Sequence, residues 1–222
     1  MASIVAIDGP SGVGKTTTSK LVARELNLPH IDTGAMYRAI GLAAIRAGID
    51  TRDADGLETL AANATIEFVP GDPPRVLLES EDITSLIRTP DISMAASNVS
   101  AVPAVRRVLV RLQQDLGRRK GGVLEGRDIG TKVFPETPHK FFLTARPEVR
   151  AHRRYAELIA RGQEADYDSV LADCLVRDTQ DSTRADSPLM WDESYTVIDT
   201  SDLTIADVVA TIVANVRGRG LH

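Results

Sequence analysis

Short apolar runs recur along the chain and are separated by segments long enough to form helices. The runs predict five buried strands, at Ile4–Asp8, His30–Asp32, Val123–Glu125, Lys140–Thr144 and Thr196–Asp199. The segments beside them predict helices over Gly14–Leu26, Ala35–Ala47, Val102–Arg118, Pro147–Arg161 and Thr204–Val216. Alternating strands and helices are typical of a parallel sheet that is covered on both faces. We therefore predict an α/β fold with a five-stranded parallel sheet flanked by helices.

Two segments do not follow this alternation. Residues 64–88 carry two β-like runs around the sequence PGDPP, whose turn residues favour an antiparallel hairpin. We predict a small antiparallel β insertion there. Residues 145–190 are rich in charge and contain little apolar material for a core, which favours a mobile, partly exposed helical lid.

The composition is that of a globular protein. The chain has 222 residues, of which 43% are hydrophobic and 26% charged. A net charge of −5 argues against a general nucleic-acid binder. The single cysteine, Cys174, permits no intrachain disulfide, and we expect it to be a buried apolar residue. Without a signal peptide or a membrane-length apolar run, the expectation is a soluble cytoplasmic protein with no nucleic-acid or membrane partner.

Residues 9–16 read GPSGVGKT and match the phosphate-loop pattern of glycine, four residues, glycine, lysine and serine or threonine. The run follows the first predicted strand and opens a helix, which is the context that this motif requires. Its glycines let backbone N–H groups point into one cavity, and the helix adds the positive end of its dipole. Lys15 brings a charge to the outer phosphates, and the Thr16 hydroxyl can ligate Mg²⁺. The loop therefore predicts binding of a nucleoside triphosphate.

The phosphate loop does not decide the reaction. GTPases, motor ATPases and small-molecule kinases all use it, but the Asn-Lys-x-Asp motif by which GTPases read their base is absent from the sequence. One hypothesis is a kinase with a second anion site, for shikimate or for a nucleoside monophosphate. The other is a regulatory nucleotide-binding protein without phosphotransfer, which would not need a second anion site.

Charged and polar residues are concentrated in four further stretches. They are DTGAMYR (Asp32–Arg38), AASNVSAVPAVRR (with Ser97 and Arg106), GRD (with Arg127 and Asp128) and RDTQDSTR (with Arg177, Asp181 and Arg184). The first and third follow predicted strands, at the carboxyl edge where open α/β sheets bind ligands. The residues of the fourth are spaced i, i+4, i+7, which predicts one helical face. The simpler interpretations are a surface ion pair or a capping aspartate for GRD, a helix-surface cation for Arg38, and a solvated ion-paired face for the fourth.

Together the motifs GPSGVGKT, IDTGAMYR, LEGRDIGTKVFP and RDTQDSTRADSPL resemble the bacterial cytidylate kinases, over essentially the whole chain. The resemblance implies transfer of the γ-phosphoryl group of ATP to CMP or dCMP with Mg²⁺, in pyrimidine nucleotide metabolism. It implies one kinase domain over 1–222, acting as a monomer. Its parts would be a core at about 1–60, 100–145 and 185–222, a monophosphate-binding segment with the β insertion at about 60–99, and a lid at about 146–184.

The resemblance also implies roles for individual residues. ATP would be bound by Gly9, Pro10, Ser11, Gly12, Val13, Gly14, Lys15, Thr16 and Thr17, with Thr16 on the metal. The cytosine would be contacted by Ser97, Arg106 and Asp128; the acceptor phosphate by Arg38, Arg127 and Arg184; the sugar by Arg177 and Asp181. Thr33 stands where many relatives have serine, and it keeps the hydroxyl. Gln180 and Ser182 stand where some members carry arginines, which makes the lid less positive.

The expected chemistry needs positive charge and positioning more than a strong base, because the acceptor phosphate is already anionic. The predicted catalytic residues are Lys15, Arg127, Asp128, Arg150, Arg153 and Arg154, the last three sharing one helix face by their spacing. Asp128 would accept a hydrogen bond from the cytosine amino group and disfavour uracil, whose carbonyl would face the carboxylate. Asp8 or Glu125 is expected to orient the metal or its waters, or to be only a carboxylate at a strand end.

Overall fold

The structure is a computed structural model that describes residues 3–220 except 52, 70, 72 and 73. The chain divides into two compact units: a first unit of residues 1–30 and 120–222, and a second unit of residues 31–119. The predicted division into core, monophosphate-binding segment and lid stays a prediction. Over the described ranges, no helix combines the length and the apolar character that crossing a membrane requires.

A five-stranded sheet has the strand order β2-β6-β1-β7-β8. Its strands are β1 (Ile4–Asp8), β2 (His30–Asp32), β6 (Gly122–Gly126), β7 (His139–Thr144) and β8 (Thr196–Asp199). The pairs β1–β6, β1–β7 and β7–β8 are all parallel. Every residue of β1 and β6 is buried, as expected of central strands covered on both faces. The predicted parallel sheet is confirmed, and the ranges of the strands differ from those predicted by at most one residue at each end.

The helices of the first unit are α1 (Lys15–Leu26), α6 (Pro147–Ala160), α7 (Tyr167–Thr183) and α8 (Ile205–Arg219). Of these, α1 and α8 pack with the sheet in one core, whereas α6 and α7 pack against each other. Val22 of α1 and Ile212 of α8 lie in one apolar cluster with Ile7 and Phe141 of the sheet. A capping box between Thr204 and Asp207 fixes the start of α8 by satisfying backbone donors of its first turn.

The second unit combines helices with a three-stranded sheet of order β3-β4-β5. Its elements are α2 (Thr33–Ala47), α3 (Ala54–Asn63), β3 (Ile66–Val69), β4 (Arg75–Leu78), β5 (Glu81–Asp82), a 3₁₀ turn (Leu86–Arg88), α4 (Pro90–Ser100) and α5 (Pro103–Lys120). Met36, Ile40, Leu57 and Leu109 lie in its core. The predicted antiparallel hairpin is confirmed by the pairing of β3 with β4. Of its predicted PGDPP turn, residues 70, 72 and 73 lie outside the described residues.

The helical part of residues 145–190 corrects two predictions. The segment does have a small core, in which Leu158 of α6 packs with Val170 and Cys174 of α7. Cys174 is buried as expected, and burial raises the pKa of its thiol. In addition, α7 ends at Thr183, so Arg184 lies outside the helix with an extended backbone instead of continuing its face. The predicted mobility of the lid stays a prediction.

Candidate active site

The phosphate loop connects β1 to α1 and requires glycine at two close contacts. Gly9 has a φ of 147° and Gly12 a φ of 78°, values that other residues rarely adopt. A Cβ on Gly9 would lie 2.1 Å from the carbonyl oxygen of Leu143, and one on Gly12 would lie 2.9 Å from the Cβ of Arg150. The loop is therefore held closely between the end of β7 and the start of α6.

Lys15 is buried at the start of α1, where its ammonium group donates to the carbonyl oxygen of Pro10 at 2.5 Å. Burial, followed by the charge of Arg127, lowers the pKa of Lys15 to about 7. The carboxylates of Glu125, Asp181 and Asp8 oppose this effect. An anion arriving at the loop would favour the charged form of Lys15, as phosphate binding requires.

Thr16 and Glu125 bring a hydroxyl oxygen and a carboxylate oxygen side by side at the start of α1. The Thr16 hydroxyl donates to Glu125 Oε2 at 2.9 Å, and His30 Nε2 lies 3.0 Å from Glu125 Oε1. Among the described residues no group of three or more His, Cys, Asp or Glu side chains could hold a metal ion. Mg²⁺ on a nucleotide needs few protein ligands, because phosphates and waters complete its shell. A hydroxyl and a neighbouring carboxylate therefore fit this ion.

The Arg127–Asp128 pair lies where β6 ends. Arg127 Nε donates to Asp181 Oδ2 of α7 at 2.7 Å, so Arg127 is ion-paired with this helix. Asp128 is buried and precedes a π-helical turn, Ile129–Val133, which its side chain does not cap. Its backbone carbonyl accepts from Lys132 N at 2.9 Å. The simpler interpretations, a surface ion pair within GRD or a capping aspartate, do not describe this turn.

The predicted sugar and phosphate contacts of the lid partly converge in the first unit. The Arg184 guanidinium lies 3.5 Å from Asp181 Oδ1 although it is outside the helix. Burial alone would raise the pKa of Asp181, but the charges of Arg127 and Arg184 hold it below its usual value. Burial, with the nearby charge of Arg154, lowers the pKa of Arg177. Cations thus crowd this face of α7, as an anion site requires.

The three arginines of α6 have different partners. Arg150 is buried and donates to Asp178 Oδ1 at 2.9 Å, and it also reaches the carbonyl oxygen of Ser11 in the phosphate loop at 3.3 Å. Arg153 donates to the Thr200 hydroxyl at 3.0 Å. Arg154 pairs with Glu157 on the surface at 2.9 Å. Arg150 is therefore the one of these three arginines that contacts the phosphate loop.

The other predicted CMP contacts lie in the second unit. Thr33 is buried at the start of α2, and Arg38 one turn later donates to Asp32 Oδ2 at 2.6 Å. Ser97 is half-buried on α4. Arg106 is buried on α5, with its guanidinium 5.5 Å from the centre of the Tyr37 ring. Arg38 is thus ion-paired and not a free surface cation.

Sequence reasoning missed three side chains of this region. Asp178 lay inside the RDTQDSTR motif but was not linked to Arg150, because that contact joins two helices distant in sequence. Tyr195 has no motif around it, and its hydroxyl donates to Asp8 Oδ2 at 2.8 Å. His30 was assigned only to a strand, and its ring contacts Glu125. Nothing in the sequence around His30 indicated this contact, because His30 begins β2 and Glu125 lies in β6.

The parallel sheet, the glycine-rich turn after its first strand and the buried Lys15 define a phosphate-loop nucleotide-binding protein. A family model described as cytidylate kinase matches residues 5–218. The chain belongs to the cytidylate kinase family, and the predicted resemblance is confirmed.

Curated cytidylate kinases are similar to this chain over almost its full length. A cytidylate kinase of Syntrophotalea carbinolica is 47% identical over 217 residues, covering 97% of this chain and 92% of that protein. One of Geobacter sulfurreducens is 48% identical, with coverages of 97% and 93%. Among solved structures, an uncharacterized protein from Eubacterium ventriosum is similar with a TM-score of 0.52 and 12% identity, over 99% of this chain and 100% of that one. This last likeness shows the fold alone.

Proposed function

We propose that the protein transfers the γ-phosphoryl group of ATP to CMP or dCMP, giving ADP and CDP or dCDP. The observation that carries the proposal is the closeness of a donor group and an acceptor group within the first unit. In the parallel pairing of β1 with β6, Asp8 lies opposite Gly126, so the phosphate loop and Arg127, expected to bind the acceptor phosphate, leave adjacent strands at the same edge of the sheet. The family membership independently favours CMP as the acceptor.

The chain's own residues supply charge and position. Lys15 would hold the outer phosphates of ATP, and the loop's backbone N–H groups would orient them. Arg150 contacts the loop at the carbonyl oxygen of Ser11, and its guanidinium would contribute positive charge beside the phosphates. Mg²⁺, held by Thr16 with Glu125 beside it, would neutralise phosphate charge when bound. Arg127 would keep the acceptor phosphate in line with the donor.

Recognition of cytosine is assigned to a carboxylate and a guanidinium. Asp128 would accept from the exocyclic amino group, and Arg106 would donate to the ring and carbonyl acceptors. The remaining proposed contacts are Thr33, Arg38, Ser97, Arg177, Asp181 and Arg184. Uracil presents a carbonyl where cytosine presents an amino group, so the buried Asp128 carboxylate would face another acceptor. The enzyme is therefore expected to prefer CMP over UMP.

A coupled assay of ADP release tests the proposal, with ATP and Mg²⁺ present and CMP, dCMP, UMP, AMP and shikimate offered separately. We expect turnover with CMP and dCMP and little with the others. The Asp128→Ala variant should lose about 10-fold or more of the preference for CMP over UMP, since one charged hydrogen bond to the base is removed. Turnover of another acceptor alone would overturn the assignment of the substrate, and an unchanged CMP preference in Asp128→Ala would overturn that of the base contact.

A further inference from the structure

Asp8 is a buried carboxylate with no exposed surface, at the end of β1 and directly before the phosphate loop. Its Oδ1 accepts from the backbone N–H of Ile129 at 2.9 Å, and its Oδ2 accepts from the N–H of Gly130 at 2.9 Å. The Tyr195 hydroxyl donates to the same Oδ2 at 2.8 Å. One side chain thus joins the root of the phosphate loop to the turn that follows Arg127 and Asp128.

These contacts decide between the two roles expected of Asp8. A carboxylate that orients a metal or its waters needs an oxygen that faces the nucleotide. Asp8 has no exposed surface, and three protein donors point at its two oxygens. Its interactions are therefore directed to the backbone of the acceptor turn.

Tyr195 is built into this arrangement. A Cβ on Gly130 would lie 2.6 Å from the Tyr195 hydroxyl oxygen, so the hydroxyl packs directly on bare backbone. The Tyr195 ring is buried, lies edge-on to Phe142 with 6.3 Å between centroids, and has the Lys140 ammonium 5.9 Å from its centre. Burial and the Asp8 carboxylate raise the pKa of Tyr195, which keeps its hydroxyl a neutral donor.

The turn that these residues hold has an uncommon backbone. Asp128 has a φ of −149° and a ψ of 25°, outside the helical and extended regions, and a π-helical turn follows it. A single π-helical turn is rare and occurs frequently at functional sites. The N–H groups of Ile129 and Gly130 are the first two after Asp128. Their hydrogen bonds to Asp8 therefore fix the direction in which the Asp128 side chain leaves the backbone.

We propose that Asp8 and Tyr195 are positioning residues for the acceptor: together they fix the turn that presents Arg127 and Asp128 to CMP. In this role Asp8 and Tyr195 act through the turn and do not themselves contact the substrate. The proposal rests on the proposed function, because it assigns CMP recognition to this turn. It adds that selectivity for the base depends on a carboxylate of the phosphate-loop strand and on a tyrosine that enters from the segment before β8.

The primary test is Tyr195→Phe, which removes one donor to Asp8 and keeps the ring. We expect KM for CMP to rise about 3- to 10-fold, the size of one lost hydrogen bond, and KM for ATP to change by less than about 2-fold. The preference for CMP over UMP should fall by a similar factor. Calorimetric titration of CMP into the protein without ATP should show the same loss of affinity.

Thr137→Val is the matched control. The buried Thr137 hydroxyl donates to the Ile4 carbonyl oxygen at 2.6 Å, at the opposite end of β1. The variant loses a buried hydroxyl hydrogen bond to the same strand, so it should lower stability by a comparable amount while both KM values stay unchanged. A shift in KM for CMP that is equal in the two variants would reduce Tyr195 to a general stabilising residue and overturn the proposal.

A double-mutant cycle with Asp8→Asn completes the test. If Tyr195 acts through Asp8, then adding Tyr195→Phe to Asp8→Asn should raise KM for CMP by less than about 2-fold more. A double variant whose rise in KM for CMP equals the product of the two single rises would contradict the proposal. These outcomes are separate from those of the proposed function: a wild-type protein that does not phosphorylate CMP overturns the function, whereas a wild-type cytidylate kinase whose Tyr195→Phe variant keeps its KM and base preference overturns only the positioning role.

Discussion

Lys15 is the residue whose protonation is most directly linked to ligand binding. Its ammonium group is buried, and its nearest partner at 2.5 Å is the carbonyl oxygen of Pro10, a neutral acceptor. With a pKa lowered to about 7, a large part of the Lys15 population is uncharged at neutral pH in the protein without nucleotide. The phosphates of ATP favour the charged form, so binding must raise this pKa.

Proton uptake on ATP binding follows from this shift. At about pH 8 the triphosphate is fully ionised, and we expect uptake of up to about one proton per ATP bound, with affinity falling as the pH rises above about 7. Calorimetric titrations in two buffers of different ionisation enthalpy measure the number of protons. A Lys15→Arg variant, whose guanidinium is always charged, should take up none at this site. Equal heats in both buffers for the wild type would contradict the assignment.

At the scale of elements, the buried ion pair between Arg150 of α6 and Asp178 of α7 joins these two helices. The Arg150 side chain is only 4% exposed, whereas Asp178 is 26% exposed, so the guanidinium bears most of the cost of losing its partner. Its other contacts are carbonyl oxygens of Ala145 and Ser11. The pair therefore connects α7 to the phosphate loop through one side chain.

Asp178→Ala should destabilise the protein by about 2 kcal/mol, because a buried guanidinium loses a charged hydrogen-bond partner. Urea denaturation measures this change, and hydrogen exchange should show faster opening of α7. The control is Glu157→Ala on the same α6, which removes the exposed partner of Arg154 and should cost no more than about 0.5 kcal/mol. Equal losses in the two variants would show that the buried pair stabilises the protein no more than the exposed pair does.

The helices and strands also show how much of the fold could be predicted from the sequence. The five strands were predicted to within a residue at each end, because short apolar runs identify them. The runs at β1 and β6 are buried throughout, whereas β2 and β8 are only partly buried. The helices α3 and α4 were missed: they are short, and they begin at caps, Asp53 and Thr89, inside polar stretches. The end of α7 at Thr183 was also missed, since no glycine or proline marks it.

Candidate site residues could be proposed from the sequence where they belong to a recognisable motif, as in the phosphate loop and in GRD. Partners that come from elsewhere in the chain were not predictable. Arg127 was predicted from GRD to bind the acceptor phosphate, which stays a prediction, but its ion pair with Asp181 is set by the packing of α7. Tyr195 reaches Asp8 from 187 positions away in the sequence, and only the order of the strands brings them together.

At the scale of the whole molecule, two buried aspartates make stability depend on pH in opposite directions. Burial, more than the neighbouring Asp128 charge, raises the pKa of Asp8 from 3.8 to about 6, despite the hydrogen bonds from Gly130, Ile129 and Tyr195. Asp181 has its pKa lowered by Arg127 and Arg184. The folded protein therefore binds the Asp8 proton more tightly than the unfolded chain does, and the Asp181 proton less tightly.

Because the two pKa values shift in opposite directions, they predict opposite changes of the free energy of unfolding with pH. Because the folded state holds the Asp8 proton at higher pH, the Asp8 contribution falls as the pH rises from about 4 to about 6, by up to ~3 kcal/mol. Stability relative to Asp8→Asn should thus be greatest near pH 4 and decline toward pH 6. For Asp181→Asn the wild-type advantage should instead be full above about pH 4 and shrink at lower pH, as the folded carboxylate is forced to protonate. Urea denaturation of the three proteins across this range measures both differences.

A difference between wild type and Asp8→Asn that does not vary with pH would contradict the prediction for Asp8. It would mean that Asp8 titrates alike in the folded and unfolded chains, and that its burial at the acceptor turn costs the carboxylate nothing.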